Sequence, residues 1–359
     1  MIKIDIISGF LGAGKTTLIN RLIREAYNGE KVVLIENEFG EIGIDGGFLK
    51  DAGVEITEMN SGCICCSLVG DFSEALKKVA ADYSPDRIII EPSGVGKLSD
   101  VTKAVASAEL EGAVINSAVV VVDVNKCKMY MKNFGEFFND QIEHAGCIFF
   151  SHTDKTTDAK LNEAVGLVRA HNASAELVTT PADKLDISAV ISAFERRDTL
   201  EEQIKKLSAE EICPECGHHH DHDECDCHEH HEHHEHHEHH HHDKCECHEH
   251  HEHHEHHEHH HHHHHHHADE VFTSWGRETV KRFSEQDIVH ALNELSDEHK
   301  YGFVIRAKGI VEAEDGRWIY FDYVPGEPDV RYGVASNIGK ICVIGSNIDE
   351  NALVALFEA

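Results

Sequence analysis

The sequence predicts an α/β protein: a parallel sheet covered by helices on both faces, joined through a coreless linker to a small α+β domain. Three observations carry this. Short apolar runs recur through the first half and alternate with amphipathic stretches, the pattern of strands buried on both faces and their crossover helices. Residues 213–267 contain no apolar side chain beyond Cys and one Pro. Such a segment cannot offset its ordering entropy by burial, so it reads as a disordered linker when metal-free. Beyond it, apolar runs return, separated by turns such as Glu314-Asp315-Gly316, as an antiparallel sheet requires.

The elements follow in order. Residues 2–8, IKIDIIS, form a buried strand that runs into a glycine loop. KTTLINRLIREAY then places Leu18, Ile19, Leu22 and Ile23 at helical spacing. Further strands are expected at 31–36, 87–91, 117–123, 147–151 and 176–180, with helices at 72–82 and 157–171 among those between them. This first domain spans 1–183. Residues 184–212 are connecting helices, with Ile187, Val190, Ile191 and Phe194 on one face. The tract occupies 213–267 and the last domain 268–359. In that domain, Ser284 caps a helix with acids in its first turn. YGFVIRAKGIVEA, RWIYFDYV and ICVIGS are strands, and DENALVALFEA is a closing helix.

Composition excludes several classes. Lys and Arg number 32 against 66 Asp and Glu, a formal net charge of −34. That balance offers no basic face for nucleic-acid phosphates. No apolar run reaches the ~18 residues of a membrane span, and no signal peptide precedes the glycine loop. The expected compartment is the cytoplasm, where thiols stay reduced and close-set Cys read as metal ligands before disulfides. Lone Cys127, Cys147 and Cys342, in or beside apolar strands, read as core filler.

The glycine loop carries the first chemistry. GFLGAGKT, residues 9–16, fits G-x-x-x-x-G-K-[ST] between a strand and a helix. In such a loop the backbone of Gly9, Gly12, Ala13, Gly14, Lys15, Thr16 and Thr17 wraps a phosphate chain. Lys15 reaches the β- and γ-oxygens, and the Thr16 hydroxyl ligates Mg²⁺. Glu91 ends the strand RIIIE, where a carboxylate holds magnesium through water or activates the attacking water. CIFFSHTD ends at Asp154, placed to accept both guanine N–H groups, with His152 two residues earlier.

CICC supplies the second chemistry: Cys63, Cys65 and Cys66, after the permissive Gly62. Soft thiolates in such density suit Zn²⁺ and Cu(I).

Together SGFLGAGKTTLINRLI, IENEFGEIGID, SGCICC, IIIEPSG and RAKGIVEAEDGRWIYFDYV resemble the CobW-like GTPases, a metal-chaperone branch of the P-loop NTPases. The resemblance covers residues 1–211 and 270–345. It implies GTP hydrolysis coupled to handling a transition metal, most often zinc, with Co²⁺ or Ni²⁺ as alternatives. It also implies that CICC is an internal metal site, that Glu36 and Glu41 help bind the metal, and that IENEFGE doubles as a switch. The base loop departs from the family's Asn/Ser/Thr-Lys-x-Asp. Here it reads Ser151-His152-Thr153-Asp154, in which an imidazole can still stack on a purine. No arginine finger is evident, so basal hydrolysis should be slow.

The tract holds 31 of the 36 His, most of them in two near-identical 20-residue repeats, 225–244 and 245–264. Neutral imidazoles on a flexible chain give high capacity, modest affinity and quick exchange. Cys213 and Cys216 with Cys225 and Cys227 are positioned to close one thiolate site. Cys245 and Cys247 would do the same with neighbouring His. Tethering makes the tract a store or feeder for CICC. The expected function is a GTP-driven zinc chaperone acting on an apo-metalloprotein client. The alternatives are a zinc buffer or sensor without a client, and cobalt or nickel delivery for metalloenzyme or cobalamin maturation. The partners are GTP and the metal ion, and the reading allows a homodimer.

Overall fold

The computed structural model describes residues 1–36, 55–58, 69–181, 184–195 and 268–358. All of them belong to one compact unit, Met1–Leu207 with His267–Ala359. The metal candidates Glu41, Cys63, Cys65, Cys66, Cys213, Cys216, Cys225, Cys227, Cys245 and Cys247 lie outside the described residues, as does the whole tract.

The first domain runs β1 (Ile2–Gly9), α1 (Lys15–Glu25), β2 (Val32–Glu36), β3 (Glu55–Glu58), α2 (Val69–Tyr83), β4 (Arg87–Glu91), α3 (Leu98–Ser107) and β5 (Ala113–Asp123). It continues with α4 (Cys127–Asn133), α5 (Gly135–Glu143), β6 (Cys147–Ser151), α6 (Asp158–His171), β7 (Glu176–Val178) and α7 (Ile187–Phe194). Among the described residues its sheet has seven strands, all parallel, in the order β3-β2-β4-β1-β5-β6-β7. Period-2 alternation sends Ile88 and Ile90 to one face and Ile89 to the other. Each face is covered, so the runs read as unbroken apolar sequence. Helices α2, α3, α5 and α6 cover one face. Helix α1 covers the other with α7, whose Val190 and Phe194 are buried in that core. Helix α7 thus packs as part of the first domain rather than as a free connector.

At the edge away from the glycine loop, a buried polar network ties the strands together. Arg87 pairs with Asp5, whose other oxygen accepts from Asn116 Nδ2 at 2.8 Å and Ser117 Oγ at 2.6 Å. The Arg87 guanidinium stacks on Tyr27, 3.8 Å from the ring centroid. Arg87→Leu would strand the Asp5 carboxylate. Urea unfolding should show a loss of about 3–5 kcal/mol, the usual effect of breaking a buried pair from one side.

The second domain contains β8 (Thr273–Thr279), β9 (Arg282–Phe283), β10 (Phe303–Ala313), β11 (Trp318–Val324), β12 (Glu327–Gly333) and β13 (Gly339–Ser346). Its sheet order is β12-β11-β10-β13-β8, antiparallel throughout, with β9 added parallel to β10. Helices Glu285–Glu294 and Glu350–Glu358 pack on one face around Trp275, Leu292, Phe321 and Phe357. The Ser284 cap forms a full capping box with Asp287. The opposite face sends Ile305, Cys342 and Ile344 into the core of the first domain. Cys127, Cys147 and Cys342 are buried and reduced, and burial pushes the Cys127 thiol up to about 12.

An aromatic cluster joins the domains. Phe272 lies 5.2 Å from both Phe134 and Phe137 and 6.1 Å from Phe10, centroid to centroid. Phe10 belongs to the glycine loop itself and lies 4.5 Å from Tyr130. The loop is therefore anchored in a core that both domains build.

Candidate functional site

The carboxyl ends of parallel strands are where such sheets bind ligands. Here β1 ends in the glycine loop, whose shape depends on three glycines. Gly9 has φ +144, and a Cβ there would meet Val121 O at 2.4 Å. Gly12 has φ +73, and a Cβ would meet Val324 Cγ1 at 2.3 Å. Gly14, at φ +96, caps α1 without any side-chain cap. The first-turn amides of α1 thus keep their positive end for an anion. Ala13 is buried against α1's side of the sheet, while Thr17 is exposed.

Lys15 is buried, and its ammonium donates to Gly9 O at 2.9 Å and Phe10 O at 3.5 Å. The Thr16 hydroxyl donates to Glu91 at 3.2 and 3.4 Å. A hydroxyl and a carboxylate this close form an oxygen donor set that suits Mg²⁺. Glu36, buried at the end of β2, is the direct register partner of Glu91 on β4. The candidate metal ligand and the candidate magnesium acid therefore stand on adjacent strands, about 5 Å apart along the backbone. Glu58 holds the same row on β3.

The base loop leaves β6 at Ser151. His152 adopts a left-handed conformation, φ 57 and ψ 25, and lies 3.1 Å from Asp123 Oδ2 through Nδ1. The Asp123 hydrogen bond raises the His152 pKa above its ordinary value, against the opposing effect of burial. Burial pushes Asp123 up, but hydrogen bonds from His152 and the Asn125 N–H, with the charges of His152 and Lys126, hold its carboxyl below the usual range. The Lys126 ammonium lies 3.4 Å from Asp123 and 3.1 Å from Glu327. Asp123, His152 and Glu327 bring three possible ligand atoms within 4.8 Å of one another, but Lys126 already supplies their cation. Asp154 sits in the 3-10 turn Thr153–Lys155 and is exposed. It is not among the described residues that line the cavity next to the glycine loop, whereas His152 is.

A group whose folded pKa is raised stabilises the fold below its unfolded value and loses that contribution as pH rises through the folded value. The His152–Asp123 pair should therefore stabilise most between about 3.8 and 6.5, the ordinary pKa values of Asp123 and His152, and fade above the raised value of His152. Thermal melts across this window should show the loss in wild type. It should be absent in His152→Asn, a residue that tolerates the left-handed backbone.

The cavity measures about 480 Å³, within the usual size of a small-molecule site. One wall is Gly12, Gly14, Lys15, Thr16, Glu91 and His152; the other is Arg306, Asp322, Val324, Glu327 and Arg331. In the sequence, RAKG and FDYV stand only as parts of a family resemblance, and nothing local marks Arg306, Asp322, Val324, Glu327 or Arg331 as a second wall.

Family models match on both sides of the tract. The CobW/HypB/UreG nucleotide-binding domain covers residues 3–179, and the cobalamin synthesis protein cobW C-terminal domain covers 272–359. The chain is 32% identical over 254 residues to the zinc chaperone CobW of Sinorhizobium sp, spanning 63% of this chain and 71% of that one. It is 32% identical over 158 residues to the zinc chaperone YeiR of Escherichia coli K12, spanning 44% and 48% of the two chains. The solved zinc-bound YjiA GTPase of E. coli aligns over 99% of this chain and 98% of that one, with 18% identity and a TM-score of 0.40. With both characteristic domains in order around a built phosphate loop, the chain belongs to the CobW family of P-loop GTPases.

Proposed function

We propose that the protein is a metallochaperone that hydrolyses GTP to control zinc held by Cys63, Cys65 and Cys66, with Glu36 and Glu41 as further ligands, and passes it to an apo-metalloprotein. One observation carries this reading: Glu36 and Glu91 are register partners at the carboxyl edge of the sheet. The names of the relatives, zinc chaperones over much of the chain, support the choice of metal.

The residues act as follows. The glycine loop amides and Lys15 bind the β- and γ-phosphates. Thr16 and Glu91 would hold Mg²⁺, which supplies charge neutralisation on the phosphate chain when bound. His152 offers a flat ring to the purine, and Asp154 accepts its N–H groups. When the γ-phosphate leaves, Glu91 changes partners, and the adjacent strand end bearing Glu36 feels that change over one strand spacing. Cys63 follows Glu58 by five residues, and a stretch of that length can span at most about 18 Å. The tract at 213–267 keeps zinc at high local concentration for this site.

The test is zinc affinity of the full chain with a non-hydrolysable GTP analogue and with GDP, alongside a Cys63→Ala, Cys65→Ala, Cys66→Ala variant that isolates the tract. Nucleotide-dependent affinity that vanishes in the variant, with GTP-driven zinc transfer to an apo-acceptor, is expected. Equal affinity in both nucleotide states would overturn the coupling.

A further inference from the structure

The motif RAKG, residues 306–309, acquires a role from where β10 places it. Along this strand Val304 and Ala307 enter the core of the second domain, while Ile305 enters the core of the first. Two successive residues, Val304 and Ile305, thus face opposite cores. A register shift between Val304 and Arg306 in the pairing with β13 marks a bulge. Bulges re-aim side chains and concentrate beside active sites. Here the bulge brings Arg306 out on the side of the first domain, where it lines the same cavity as Lys15, Thr16 and Glu91.

The guanidinium is held there. Asp322, on the neighbouring strand β11, accepts from Arg306 Nη2 at 2.9 Å and Nε at 3.4 Å. Arg306 is about one-fifth exposed. A partly exposed pair of this kind adds ~1 kcal/mol or less to stability, so folding alone is a poor account of it. Arg331 shares the cavity but pairs with Asp329 on its own edge strand, and both are at least half exposed. Water screens that charge far more. The wall bearing Arg306 is fixed to the glycine loop at two points, Val324 against Gly12 and Phe272 against Phe10.

We propose that Arg306 is an arginine finger supplied in cis by the C-terminal domain, contacting the terminal phosphate of GTP, with Asp322 as its positioning residue. This deepens the GTPase reading and rests on it. The step balances without any further reactant. Water attacks the γ-phosphorus, the bond to the β–γ bridging oxygen breaks, its electron pair leaves on GDP, and the water proton ends on the released phosphate. Arg306 remains protonated and stabilises the charge gathering on the transferring group, which supplied arginines do strongly because that charge develops only in the transition state. The sequence expectation of slow hydrolysis without a finger then changes. The finger is present, but its position depends on domain docking.

The experiment uses the full chain as Arg306→Ala, Arg306→Lys and Asp322→Asn, with Mg²⁺ throughout. GTP turnover is measured together with binding of GDP and of GDP–aluminium fluoride, which mimics the transferring phosphate. Arg306→Ala should lower kcat by about 100-fold or more, leave GDP affinity within about threefold, and lose most of the added affinity for GDP–aluminium fluoride. Added guanidinium should restore part of the rate. Arg306→Lys keeps a charge and a partner for Asp322, so it should fold even if the alanine variant does not. Its kcat should still fall, because an ammonium lacks the planar fork. Asp322→Asn should lower kcat less than either. Wild-type kcat and wild-type aluminium fluoride binding in Arg306→Lys, or equal losses of GDP and GDP–aluminium fluoride binding in Arg306→Ala, would overturn the assignment while the GTPase reading stands. Wild-type protein that binds GTP and never cleaves it would overturn both.

Discussion

Lys15→Ala is expected to weaken GTP and GDP binding by about 2–5 kcal/mol, a loss of tens- to thousands-fold in Kd. The buried ammonium sits at the mouth of the loop, satisfied in the structure by Gly9 O and Phe10 O. Those carbonyls hold it in place for a phosphate oxygen, which is a better, charged acceptor. Alanine leaves the phosphate facing loop amides alone. The loop itself should survive, because its shape comes from Gly9, Gly12 and Gly14 and from the burial of Phe10. Titration of a fluorescent guanine nucleotide would measure the loss. Unchanged far-ultraviolet circular dichroism would assign it to the site. A Kd within threefold of wild type would mean that Lys15 does not face the phosphates.

Phe272→Ala should destabilise the fold by about 3–5 kcal/mol in unfolding free energy. Phe272 is 1% exposed and closes the cluster formed by Phe10, Phe134 and Phe137. The aromatic contacts add to the area term through their tilted and edge-on geometry. The same variant should weaken nucleotide binding, because Phe10 lies in the phosphate loop and loses a packing partner. Denaturant titration followed by nucleotide binding below the transition would separate the two consequences. Stability loss with unchanged nucleotide affinity would show that the cluster joins the domains without tuning the loop. An exposed control such as Val289→Ala should leave both unchanged.

Much of the first domain was legible because parallel strands buried on both faces leave a strong mark. RIIIE, SAVVVVD and CIFFS each fell on a strand. Strand β3 was missed because EITE is only four residues with acids at both ends. In the second domain β8 and β12 were missed for a related reason. TSWGRET buries Trp275 and little else, and EPDVRYG is a mostly exposed edge strand. Strands held mainly by backbone pairing to a neighbour carry little hydrophobic signal of their own. Pro328 on β12 fits this, since proline is tolerated in a sheet at its edge.

The residues of the site divide in the same way. By itself the sequence determined the phosphate loop, the lysine and threonine on it and Glu91 at a strand end, because each is a local pattern of residue types at fixed spacing. Only the tertiary structure decided that Glu36 and Glu91 are neighbours, that His152 leans on Asp123, and that a domain some 300 residues downstream packs Val324 on Gly12 and brings Arg306 into the same cavity. Those contacts join segments far apart in the chain. They follow from sheet order, strand register and one bulge, which are set by the packing of the whole molecule and leave no pattern in any single stretch of it.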